Sequence, residues 1–235
     1  MKRHNLHTHT AFSDGYFLPK GLIDMAKEEN LEILGISEHA FTRKVNIYSQ
    51  ITDELYRYLD FVKDIQKSTK DLDLKIGIEI DVSKFFGANP AELPFDALNE
   101  FDYVLFEYVG KEKALFPRFK LRDIRSIVDV RDKFTVPIGL AHNDLQKNYN
   151  EKEEEIANIL SKEDIFLELN AGDRNLRGGM YYYEHFSKKL LEELAKNKVK
   201  VVVGTDFHSY EDKADLDDAY YFVKENNLKY HELVL

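Results

Sequence analysis

The chain contains no cysteine. That excludes a disulfide scaffold, a thiolate metal site and a cysteine nucleophile. No apolar run approaches the roughly 20 residues of a membrane span, so no transmembrane helix is expected. The opening Met1-Lys2-Arg3-His4 is basic, but no apolar stretch follows it, which argues against a secretory leader. The simplest expected location is the cytoplasm. Proline is scarce and scattered, and no Pro/Gly/Ser linker, repeat or low-complexity tract divides the 235 residues. A single domain over residues 1–235 is expected, since one α/β core can use this much chain. No phosphate-cradling glycine loop of the ATP- or NAD-binding type occurs, so neither role has motif support.

Positive charge is also short. There are 43 acidic against 33 basic residues, a net charge of −10. A general nucleic-acid binder carries a basic face, so no nucleic-acid partner is expected. A small anionic substrate would need a cationic site inside this acidic shell, and bound metal ions would supply one.

What is present is a rhythm of short apolar runs and longer amphipathic segments. Strands are predicted near 3–7, 32–37, 74–80, 101–107, 136–141, 164–169 and 199–203. Helices are predicted near 19–29, 50–70, 119–132, 151–160, 183–197 and 213–225. The strands are mostly apolar on both faces, which implies a parallel sheet covered on both sides. Seven such strands suit a closed or nearly closed barrel; a doubly wound sheet fits the same pattern.

The histidines are placed in a pattern. His7 and His9 follow strand one, His39 strand two, His142 strand five and His208 strand seven. Carboxylates fall at matching places: Asp14, Glu38, Glu79, Glu107, Glu168 and Asp206. Strand C-termini of a βα barrel converge on one face, so residues two hundred positions apart would share a pocket. Imidazoles mixed with carboxylates, and no thiol, suit zinc, manganese or iron. In His7-Thr8-His9 and Asp206-Phe207-His208 the i, i+2 spacing points both donors to one side of an extended chain. Glu79 interrupts an apolar strand, where an unpaired carboxylate costs several kcal/mol; cations would remove that cost. Each feature alone has a plain explanation as a capped loop or solvated face. Their joint placement at one end of successive strands favours a metal site.

The run His7-Thr8-His9-Thr10-x-x-Ser13-Asp14-Gly15 resembles the first motif of the PHP (polymerase and histidinol phosphatase) family. Ser37-Glu38-His39, Gly77-Ile78-Glu79, Ala141-His142-Asn143 and Gly204-Thr205-Asp206-Phe207-His208-Ser209 are similar to its later motifs, in the family's order. The resemblance implies an α/β fold, a distorted seven-stranded (β/α)7 TIM-like barrel with two or three divalent metal ions. It groups His7, His9, Glu79 and Asp206 about one ion. Glu79 then bridges to a second ion with His142, and Asp14, His39 and His208 hold a third. The family's histidine after strand four is missing; the chain reads Phe106-Glu107-Tyr108 there. Glu107 either replaces it as an oxygen ligand or is a loop carboxylate.

The implied activity is metal-dependent phosphoester hydrolysis of a small phosphorylated metabolite. A metal-bound water near neutral pH is the expected nucleophile. Histidinol-phosphate phosphatase is the narrower alternative. A metal-binding regulatory module without turnover, and metal-assisted C–N or C–O hydrolysis, are alternatives of other classes. Arg174 and Arg177, in a glycine-rich loop after strand six, are candidates to fork onto a phosphate, as are Arg118 and Lys120. Tyr181, Tyr182 and Tyr183 read as a packed helix start, and Glu168 with Asn170 as a pair ordering water or a ligand. His4, His185 and His231 lack partners at ligand spacing. Ser13 and Ser209 lie near histidines, but a serine triad would leave the other candidate ligands unused.

Overall fold

The computed structural model describes residues 2–42, 52–110, 120–172, 179–212 and 214–233. Among them eight parallel strands run side by side in chain order: β1 (His4–Asn5), β2 (Ile33–Ala40), β3 (Asp73–Asp81), β4 (Tyr103–Glu107), β5 (Ile138–Leu140), β6 (Ile165–Asn170), β7 (Lys200–Gly204) and β8 (Lys229–Tyr230). The connecting helices are α1 (Pro19–Glu28), α2 (Thr52–Ser68), α3 (Phe95–Leu98), α4 (Arg125–Val128), α5 (Leu145–Asn148), α6 (Glu153–Lys162), α7 (Lys188–Lys196) and α8 (Leu216–Glu225).

The sheet curls until β1 and β7 meet. The Leu6 amide donates to the Val203 carbonyl (3.0 Å) and the His9 amide to the Phe207 carbonyl (2.8 Å). This is an α/β architecture consistent with a TIM-like barrel, but with eight strands rather than the seven expected. The added strand, β8, pairs with Lys200 and Val201 of β7, and its Tyr230 hydroxyl donates to the Lys2 carbonyl (2.6 Å). It therefore sits beside both β7 and the start of β1. Two residues carry no periodicity, which is why sequence pattern misses it.

The interior is layered. Strand residues alternate faces, and the buried set Ile33, Tyr103, Leu105, Ala141, Phe166 and Val202 forms a core of its own, separate from the outer core between sheet and helices. Gly77 makes room for Tyr103: a Cβ there would stand 2.2 Å from the ring. The Tyr103 hydroxyl then donates to the Leu6 carbonyl at 2.6 Å. Above this apolar layer the strands end in His39, Glu79, Glu107 and Glu168, all buried. The register sets Glu79 opposite both His39 and Leu105.

Three of the longer helices close in one way. Asn30, Lys198 and Asn227 adopt left-handed φ of 56°, 55° and 51° just past α1, α7 and α8. The next residues, Leu31, Val199 and Leu228, donate back to Ala26, Leu194 and Val223. These are Schellman turns, each delivering an apolar residue toward the following strand. The helix predicted over 119–132 shrinks to α4 and a 3-10 turn at Arg131–Lys133. The cause is Arg122, which bridges to Val109 in extended conformation. The segment predicted over 183–197 splits in two because the Ser187 hydroxyl accepts from the Leu190 amide (3.1 Å) and caps α7 afresh.

Candidate metal centre

The strand tops bring all nine candidate ligands together. The Nε2 atoms of His7 and His9 face each other at 3.0 Å. Asp206 Oδ1 lies 3.4 Å from the first and 3.2 Å from the second. Glu79 adds Oε1 at 3.4 Å from His7 and Oε2 at 3.6 Å from His9. One donor atom from each of these four side chains falls within 4.8 Å of the other three. His9, Asp14, His39 and His208 form a second group of this kind, and His39, Glu79 and Glu107 a third. His142 joins through Nε2, 3.0 Å from Glu79 Oε1 and 3.9 Å from Glu107 Oε2. The site is buried: His7, His9 and Glu79 are fully enclosed.

Four left-handed residues border the site. Phe41, Tyr108, His142 and Asp206 have φ of 54°, 60°, 29° and 55°, and each stands just beyond β2, β4, β5 or β7. Such conformations cost on the order of 1–3 kcal/mol each and persist where surroundings over-determine them. At His142 the surroundings include Glu168, whose Oε2 accepts from the His142 amide.

Glu168 and Glu38 are the residues whose part was not legible beforehand. Glu168 Oε1 lies 2.9 Å from His7 Nδ1 and accepts from Asn170 Nδ2 at 2.9 Å. With Nδ1 turned to Glu168, the other ring nitrogen, Nε2, faces His9. Gly204 keeps this space open, since a Cβ there would stand 2.2 Å from Glu168 Oε1. The available signal was a carboxylate inside an apolar strand, the same signal that singled out Glu79. Glu38 accepts from the Thr10 amide (3.0 Å) and from the Thr10 and Ser13 hydroxyls, clamping the loop that carries His9 and Asp14.

The electrostatics are those of a cation site. Burial alone would lower His7, but Glu168, Glu79 and Asp206 hold it well above the usual imidazole value. Burial, with the His39 imidazole adding to it, lowers His9 to about 3. Burial alone would raise Glu79 and Asp206, but the surrounding imidazoles, His7 foremost, hold both well below the carboxylate range. Burial likewise opposes Asp14, yet His208 and His39 bring it down to about 2. Burial raises Glu38 to about 7 despite its hydrogen bonds. Two facing imidazole nitrogens and two ionised carboxylates around one point are a donor set that fits a divalent ion of the zinc, manganese or iron type.

A cavity of about 380 Å³ opens onto the centre, with His39, Glu107, His142, Asp206 and His208 along one side. Its outer wall includes Asn143, Lys147, Asn148 and Tyr182. Lys147 Nζ lies 2.9 Å from His185 Nε2 and 3.5 Å from Asp144. Tyr182 lines the cavity, while Tyr181 and Tyr183 are buried and stacked. Lys120 lies over the Phe85 ring. Arg118, Arg174 and Arg177 lie outside the described residues. A second cavity, about 280 Å³ and lined largely by Leu22, Met25, Leu31, Leu34 and Leu216, contains no histidine. No helix among the described residues is long and apolar enough to cross a membrane.

Solved structures share the fold. A histidinol phosphate phosphatase from Lactococcus lactis subsp. lactis, complexed with zinc, L-histidinol and phosphate, superposes with a TM-score of 0.64 at 19% identity, covering 97% of this chain and 95% of its own. A Listeria monocytogenes protein whose proposed identity is histidinol phosphatase gives 0.62 at 17% identity, covering 93% and 100%. A mutant atrazine chlorohydrolase from Arthrobacter aurescens, complexed with zinc and atraton, gives 0.51 at 12% identity, covering 87% and 46%. A comparison with curated protein sequences finds no match. The PHP domain signature matches residues 5–172, which takes in β2 to β6 and the candidate donors from His7 to His142, and the chain belongs to the PHP domain family.

Proposed function

We propose that this metal-dependent phosphoesterase hydrolyses a small phosphorylated metabolite at a di- or trinuclear centre, in one domain spanning residues 1–235, in the cytoplasm. The reading rests above all on the group formed by the enclosed His7, His9 and Glu79 and the half-buried Asp206, beside a cavity in a PHP-family chain. His7, His9, Glu79 and Asp206 would hold a first ion, Glu79 with His142 and Glu107 a second, and Asp14, His39 and His208 a third. When bound, such ions acidify water to serve as nucleophile and offset charge on the phosphoryl oxygens.

The chain's own residues do the positioning. Glu168 fixes the ring of His7, and Glu38 fixes the loop bearing His9 and Asp14. Lys147 is a cation on the cavity wall, placed to meet a phosphoryl group entering an otherwise acidic protein. Arg174 and Arg177 are further candidates for that contact. A cavity of about 380 Å³ suits a metabolite rather than a polymer.

The test is chelation followed by add-back of zinc or manganese, with p-nitrophenyl phosphate and a panel of sugar, amino-alcohol and nucleoside monophosphates. Metal-dependent release of phosphate supports the reading. Metal-restored thermal stability without any hydrolysis overturns it in favour of a binding module. Histidinol phosphate is the narrower candidate, and a rate for it well above the rest of the panel would select it.

A further inference from the structure

We infer that the second cavity, which lies against the segments carrying His7, His9, Asp206 and His208, is a binding site for a small apolar amine, and that its occupation tightens the metal centre. The link to metal affinity rests on reading the strand tops as that centre. The capacity to bind the amine does not.

The two sites share a wall. Thr8, which stands between His7 and His9, lines the second cavity. So do Thr205 and Phe207, which stand on either side of Asp206. Thr8 and Phe207 form a parallel bridge, and the His9 amide donates to the Phe207 carbonyl at 2.8 Å. Metal donors and cavity-lining residues thus alternate along both segments. Asp212 adds a further tie. It also lines the cavity, and its Oδ2 accepts from the amides of His208 (2.9 Å) and Ser209 (2.8 Å).

The remaining lining says what fits. Leu22 and Ala26 of α1, with Leu31, Leu34 and Leu216, are buried and make the body of the cavity apolar. The polar side chains of the shared wall are already paired: Asn5 Nδ2 donates to Thr205 Oγ1 at 2.8 Å, and Thr8 Oγ1 to the Gly35 carbonyl at 2.7 Å. An apolar group therefore enters without stripping a hydrogen bond from the wall. At about 280 Å³ the space suits a small molecule. Among the described residues its charged lining consists of Glu29 and Asp212, both acidic, one exposed and one half-buried. Arg3, whose charge acts on Glu29, is ion-paired with Asp217. An ammonium group on the occupant is attracted by these carboxylates, and a carboxylate or phosphate is repelled.

The coupling has a defined sign. An occupant packs against Thr8, Thr205 and Phe207 and restrains both segments. Metal binding needs the same segments held with their donors converged. Whichever binds first meets the ordering cost for both, so each tightens the other by the same factor.

The experiment titrates the metal-stripped full-length chain by calorimetry with 2-phenylethylamine, 2-phenylethanol and 3-phenylpropanoate, which share a shape and differ in charge. The amine should bind about fivefold or more tightly than the alcohol, and the carboxylate least. Ala26→Leu, which fills the cavity from α1, should abolish binding. Glu29→Gln should cut amine affinity by about threefold or more and leave the alcohol unchanged. No binding of the amine, or an alcohol or carboxylate that binds as tightly, overturns the inference. Manganese affinity, from chelator competition, should then rise by about fivefold or more at saturating amine, in the wild type and not in Ala26→Leu. An unchanged affinity overturns the inference. So does a rise that survives Ala26→Leu, since it places the amine at the metal. Should Ala26→Leu not fold, Glu29→Gln carries the test: the amine concentration that half-saturates the rise should shift with its calorimetric affinity, and an unshifted one overturns the inference. No readout involves turnover, so a chain that hydrolyses no phosphate ester would fail the functional reading and leave this one standing.

Discussion

Glu168 Oε1 stands 2.9 Å from His7 Nδ1, although 161 positions separate the two residues in the chain. The contact joins β6 to the segment after β1 across the barrel interior. It fixes the tautomer and the angle of a ring whose other nitrogen faces His9.

The first prediction follows from that contact. Glu168→Ala should weaken metal affinity by about 10–100-fold, the usual effect of losing a carboxylate behind a ligating histidine. Glu168→Gln keeps an oxygen and should lose less. Chelator competition on the folded variants measures both. An alanine variant with wild-type affinity would make the contact incidental.

His9→Ala removes a donor common to two of the grouped sets. Metal content should fall and phosphate-ester hydrolysis should disappear. The circular dichroism spectrum should persist, because the apolar layer beneath the site does not depend on this ring. Wild-type turnover in the variant would count against the assignment of the centre.

Much of this centre was legible because strand C-termini converge. Once residues 74–80 and 199–203 read as strands, Glu79 and Asp206 had to rise to the same rim as His7 and His9. The positioning residues were not legible. Glu38 and Glu168 lie at strand ends as the ligands do, and nothing in composition separates a carboxylate that holds a ring from one that holds an ion. Only the distances do so. The eighth strand was hidden by brevity, and the 119–132 segment by tertiary pairing: Arg122 bridges to Val109 where local propensity favours helix.

The layer below the site gives a packing prediction. A Cβ on Gly77 would lie 2.2 Å from the enclosed Tyr103 ring. Gly77→Ala should therefore cost at least about 1–3 kcal/mol, as overpacking does. Adding Tyr103→Leu removes the ring and its bond to the Leu6 carbonyl, so the double variant should lose less than the two single losses combined. Urea denaturation of the four proteins checks this. Strict additivity would mean the glycine is not there for the ring.

The last prediction concerns His4, which lies at the opposite end of the barrel from the metal centre. Its Nε2 accepts from the Val203 amide at 2.9 Å, and its Nδ1 lies 2.8 Å from the Tyr230 hydroxyl. Burial, with His231 adding to it, lowers His4 from 6.5 to about 3. The folded protein therefore keeps this ring neutral at pH values where the unfolded chain protonates it. Stability from this source is intact above about pH 6.5 and declines as the pH falls toward 3. At one pH unit above the folded value the loss amounts to roughly 3 kcal/mol. His4→Phe cannot protonate, but it leaves the Val203 amide without its acceptor, at about 1–3 kcal/mol. Wild type should thus be the more stable above pH 7, and the gap should close or reverse by pH 4. Urea denaturation in the presence of chelator keeps the metal centre out of the comparison. A gap that stays constant across this range would show that His4 is not held neutral by the fold.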